Sequence, residues 1–154
     1  EDAVTLCSNA DHAFFVGRGP FYPVAMEGAL KMKEVSYVHA EGYAAGELKH
    51  GPFALLTPET PVIAICNPGS TYSVMTSNIK EIKARKAPVI AIGVDGDKEV
   101  AEIADVFIPI PDTHLLVQVL TVSAALQMLA YHTACALGRD IDRPRNLAKS
   151  VTVE

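Results

Sequence analysis

The sequence predicts an α/β protein: three layers, α/β/α, around a doubly wound parallel sheet. Four short, continuous apolar runs, AFFVG (13–17), PVIAIC (61–66), PVIAIG (88–93) and DVFIPI (105–110), have the length and β-branched content of buried strands. Between them lie stretches with helical period, at about 21–42, 71–86, 97–104 and 113–137. Strand alternating with helix requires right-handed crossovers and a parallel sheet covered on both sides.

Taken in order, AFFVG is closed by a glycine and followed by the turn GRGPFYP (17–23), which opens the first helix. The two PVIAI runs, each opened by proline, are too few and too short to be a solenoid repeat and mark two similar positions in the sheet. NPGSTYS (67–73) leads from one of them into the second helix, and the stretch at 113–137 is the longest of the helical segments. From Asp140 the text changes: DIDRPRNLAKSVTVE has no sustained period and reads as an irregular tail. The expected organisation is one domain over 1–141 and a tail over 142–154.

Composition supports a single compact domain, with 154 residues, 49% apolar, 20% charged and no tryptophan. A chain of this size buries roughly 68–70% of its unfolded surface and needs no disulfide or structural metal for a core. The formal charge is 13 − 18 = −5, with both signs interspersed, which argues against a nucleic acid or an anionic membrane as partner. Cys7, Cys66 and Cys135 are an odd number at wide spacing with no CxxC pair, so a reducing, cytoplasmic compartment is expected. No uninterrupted apolar stretch reaches the 18 or so residues of a membrane span, and the N-terminus does not read as a signal peptide. The chain opens on Glu1 without a methionine, so it is expected to be a piece of a longer protein.

In open α/β sheets ligands sit beyond the carboxyl ends of the strands, so the loops there are the first candidates. GRGPFYP fails as a dinucleotide fingerprint because the third glycine of GxGxxG falls at Tyr22; a structural turn and an anion site both remain open. NPGSTYS reads chiefly as a helix N-cap, with a phosphate cradle as the alternative. On the first helix Glu27, Lys31 and Glu34 fall within about 60° of one another at 100° per residue. Either they are a surface ion pair of about 0.2–0.5 kcal/mol, or, flanked by Val24, Leu30, Val35 and Val38, a partly buried triad suited to acid/base chemistry. His50, between charged residues and a Gly-Pro turn, reads as a loop histidine. Lys149, in the tail, reads chiefly as a solvated lysine; the alternative is that its flanks in NLAKSV, Leu147 and Val151, bury the tail and desolvate it into an amine nucleophile.

Together, EGALKMKEVSYVHAEGYAAGELKHGP (27–52) and LQMLAYHTACALGRDIDRPRNLAKSVTVE (126–154) closely resemble the second sugar isomerase (SIS) domain of the glutamine:fructose-6-phosphate aminotransferase family, the glucosamine-6-phosphate synthases. The likeness covers nearly the whole chain, and GELKHGP combined with this C-terminus is its specific part. It implies a five-stranded parallel sheet in flavodoxin-like order, the four runs plus one strand that the sequence does not place. It also implies a cytoplasmic transferase of hexosamine biosynthesis that makes glucosamine 6-phosphate from open-chain fructose 6-phosphate and glutamine-derived ammonia, as a homodimer, without cofactor or metal.

By the same resemblance Glu34 is the carboxylate that moves a proton between C1 and C2, with Glu27 and Lys31 as its supporting neighbours. His50 assists ring opening and reaches the partner subunit's site, Lys149 forms an imine with the keto sugar, and Ala148 offers its carbonyl to the substrate. The family enzyme also has a glutaminase domain with a nucleophilic N-terminal cysteine and a first SIS domain with a Ser/Thr-rich phosphate loop. Neither is found here, so the chain is expected to be the C-terminal third or quarter of such an enzyme and inactive alone. The alternatives are an SIS-type sugar-phosphate deaminase or deglycase, and a non-catalytic phosphosugar-binding regulatory module.

Overall fold

In the computed structural model, which describes residues 1–146, the four apolar runs are the strands β1 (His12–Gly17), β3 (Val62–Ile65), β4 (Val89–Val94) and β5 (Val106–Ile110) of one sheet. A fifth strand, β2 (His39–Ala44), completes the order β2-β1-β3-β4-β5 with every pairing parallel, the flavodoxin-like order. The helices are α1 (Asp2–Ser8), α2 (Phe21–Ser36), α3 (Tyr72–Lys83), α4 (Lys98–Ile103) and α5 (Leu115–Ala136), with two 3₁₀ turns at Ala45–His50 and Pro52–Leu55.

The helix expected over 21–42 ends at Ser36. Tyr37 takes the left-handed conformation at φ 66° and returns its N–H to the Lys33 carbonyl, closing α2. Glycine usually fills that position; a tyrosine there leaves no stop signal in the sequence. The chain then extends and pairs with β1 from His12 opposite His39 to Gly17 opposite Ala44, so residues that continue a helical pattern become the edge strand. Helix α1 has no counterpart in the sequence reading. Its seven residues are held by Ala3 and Cys7, which enter the core.

Alternation along each strand divides the interior into two cores. Ala13, Phe15, Ile63, Ile65, Ile90 and Ile92 face α1, α2 and α5, whereas Phe14, Val16, Val62, Ala64, Val89 and Ala91 face α3, α4 and the first 3₁₀ turn. Burial pushes the Cys7 and Cys66 thiols up to about 12, leaving them as protonated core side chains. Helix α5 is long and apolar enough to cross a membrane by length and composition alone. Here it buries Val122, Leu126, Leu129 and Ala130 against the sheet-side core.

Helix α2 lies very close to its neighbours. A Cβ at Gly28 would stand 2.7 Å from Leu126 and 3.0 Å from Phe15, and one at Gly42 would stand 2.6 Å from the Met26 Cα. The second obstacle is backbone, which a rotamer change does not relieve. Gly42→Ala should therefore lower unfolding free energy by about 1–3 kcal/mol, the usual cost of overpacking. Chemical denaturation of the isolated chain checks this; an unchanged midpoint would show that β2 and α2 have slack between them.

Candidate active site

Turning α2 so that Ala25, Gly28, Ala29 and Met32 face the core places Glu27, Lys31 and Glu34 together on its opposite side. The Lys31 ammonium donates to Glu34 Oε2 at 2.7 Å and lies 3.7 Å from Glu27 Oε1. Side-chain exposure is 44% for Glu27, 33% for Lys31 and 23% for Glu34, so the group is half-buried and Glu34 is its most enclosed member. Of the apolar residues expected to flank it, Val24 and Val38 are buried, Val35 is half-buried and Leu30 is exposed. The hydrogen bond to Glu34, with the charges of both carboxylates, raises the Lys31 pKa against the opposing effect of burial. One cation thus lies between two carboxylates, a grouping of the kind used in acid/base chemistry.

His50 ends the first 3₁₀ turn, beyond the carboxyl end of β2, and is exposed. No hydrogen bond or ion pair among the described residues joins it to the α2 triad. Lys149 and Ala148 lie outside the described residues. In the turn after β1, Gly17 is structural, since a Cβ there would collide with the Phe21 carbonyl oxygen, and Gly19 has φ +53°. The N-cap expected from NPGSTYS is not formed by a side chain: Thr71 precedes α3 without a capping hydrogen bond.

The sequence reading missed the polar contacts that join the loops at the carboxyl ends. Buried Asn67 donates to Gln118 Oε1 at 3.0 Å, and Gln118 donates to the Thr113 carbonyl at 2.8 Å, tying the end of β3 to the start of α5. Tyr72 donates to Asp97 Oδ1 at 2.8 Å, and the same oxygen accepts the Val100 N–H to cap α4. Arg18 donates to Asn78 Oδ1 at 3.0 Å, and Lys49 pairs with Glu81 at 2.7 Å. The side-chain pairs Asn67–Gln118, Tyr72–Asp97, Arg18–Asn78 and Lys49–Glu81 are 25 to 60 residues apart in sequence, so no local pattern announces them. Among the described residues no three His, Cys, Asp or Glu side chains are grouped to hold a metal ion.

A five-stranded parallel sheet in this order, sandwiched between helices, defines a doubly wound α/β domain. The SIS domain family model matches residues 6–137, and the chain belongs to that family. It is 58% identical over 141 residues to the glutamine--fructose-6-phosphate aminotransferase (isomerizing) of Methanosarcina acetivorans, covering 92% of this chain and 23% of that protein. To the protein of the same name from Chlorobaculum tepidum it is 51% identical over 154 residues, 100% of this chain and 25% of the relative. Among solved structures, the C-terminal domain of glucosamine-fructose-6-phosphate aminotransferase from Francisella tularensis superposes with a TM-score of 0.85 at 35% identity, covering 91% of this chain and 40% of that one. The chain thus spans about a quarter of the length of the curated relatives it matches.

Because its folded-state pKa is raised, the stability Lys31 contributes is fully present below the ordinary lysine pKa and is lost as pH rises through the folded value. Competitive amine labelling with mass spectrometry should accordingly show the native Lys31 profile displaced to higher pH than that of the unfolded chain. Coincident profiles would mean that the two carboxylates do not act on it.

Proposed function

We propose that this chain is the second SIS domain of an isomerizing glutamine:fructose-6-phosphate aminotransferase and supplies part of its isomerase site. The single observation that carries the reading is the 58% identity to such an aminotransferase over 92% of this chain. The half-buried triad supports it, because Glu34, held by Lys31, is the carboxylate best placed to carry a proton.

In this reading the Lys149 amine adds to the C2 carbonyl of open-chain fructose 6-phosphate and water leaves, giving an imine. Ammonia then adds at C2 and displaces the lysine. The C2 imine acidifies the C1 hydrogens; Glu34 takes one as a proton and returns a proton to C2, giving glucosamine 6-phosphate. Glu27 and Lys31 support Glu34, the Ala148 carbonyl helps orient the sugar, and His50 assists ring opening in the partner subunit of a homodimer.

The remaining parts, a glutaminase domain and a first SIS domain holding the sugar phosphate, belong to the rest of that enzyme. The exposed Leu116, Leu120 and Met128 of α5 and Met26 and Leu30 of α2 are apolar surface suited to burial against them. A cytoplasmic setting fits the three free cysteines.

Borohydride reduction of the full-length enzyme with fructose 6-phosphate should attach the sugar to Lys149. Mass spectrometry finding the adduct elsewhere, or none, would retire the imine assignment. Glu34→Gln should cut C1/C2 proton exchange by about 10²–10⁴-fold while leaving that adduct in place. A loss below about tenfold would reduce the triad to a surface ion pair.

A further inference from the structure

The 3₁₀ turn Ala45–His50 is bonded at Lys49 to a chain of polar contacts that starts in the loop after β1, and the first member of that chain packs against Gly46. The Arg18 Nε–H donates to Asn78 Oδ1 at 3.0 Å; Asn78, buried on α3, donates through Nδ2 to Glu81 Oε2 at 3.2 Å; and Glu81 Oε1 receives the Lys49 ammonium at 2.7 Å. The bond from Lys49 keeps the Glu81 carboxyl below the usual carboxylate range. At the other end of the turn the Arg18 guanidinium rests on Gly46, where a Cβ would lie 2.5 Å from Nη2. Leu48, between Gly46 and Lys49, is fully buried, and His50 follows, exposed.

We propose that Arg18, Asn78, Glu81 and Lys49 are positioning residues that fix the height and rotation of this turn, and so set where the His50 imidazole is presented. The inference rests on the ring-opening role of His50 proposed above. Burial of Ala45 and Leu48 anchors the turn along its apolar side and leaves its polar side free to pivot about them. Contacts at Gly46 and Lys49 remove the pivot, and a misplacement of about 1 Å at a reacting group costs on the order of 10²-fold in rate. Gly46 has no positive φ, so alanine fits its backbone and only the flexible end of Arg18 must move.

The test uses the full-length enzyme. Arg18→Ala and Gly46→Ala should each lower kcat for glucosamine 6-phosphate formation by about tenfold or more, with KM for fructose 6-phosphate within about twofold. Melting temperatures should stay close to that of the unaltered enzyme. In a His50→Ala background neither change should lower kcat by more than about a further twofold, because the group they position is gone. Equal factors with and without His50, or unaltered kcat in both single variants, would overturn the proposal while leaving the role of His50 intact. Full activity of His50→Ala would overturn that role and the proposal with it.

Discussion

The close seating of α2 against the sheet is the constraint on which the rest of the molecule depends. Two missing side chains permit it: Gly28 lets the helix settle onto Phe15 of β1 and Leu126 of α5, and Gly42 lets β2 pass beside the Met26 backbone. With both contacts made, the helix has one rotation that buries Ala25, Ala29 and Met32. Helical period then leaves Glu27, Lys31 and Glu34 on the side away from the core. The placement of the triad is therefore a consequence of how the core packs.

The charged triad contributes little to holding the fold together. Exposed ion pairs are worth about 0–1 kcal/mol, and these three groups are only half enclosed. Their consequence is positional: a single ammonium lies between two carboxylates about two turns apart, so each carboxylate has a cationic neighbour. The turn bearing His50 is built on the same logic, with charged and amide groups from the loop after β1 and from α3 holding a short segment that has little regular structure of its own. Within the described residues the two features remain separate, which accords with a domain that spans about a quarter of its relatives' length.

The sequence by itself determined what depends on neighbours in the chain. Runs such as PVIAI announce buried strands because β-branched residues suit a sheet covered on both faces, and helical period places the start of α2 and both ends of α3 to α5 within a few residues. The same period put Glu27, Lys31 and Glu34 on one stripe before any fold was known. Tertiary structure alone decided the rest. Residues 39–44 became a strand because Tyr37 accepts the left-handed conformation and the edge of β1 offers a ladder of hydrogen bonds, an energy that no local pattern contains. Whether the α2 stripe faces core or solvent was settled by the glycine contacts, and the link from Arg18 through Asn78 and Glu81 to Lys49 by folding the chain back on itself over 60 and 32 residues. Hydrogen bonds at that separation depend on where whole elements come to rest, so the sequence encodes them only through the packing that it directs.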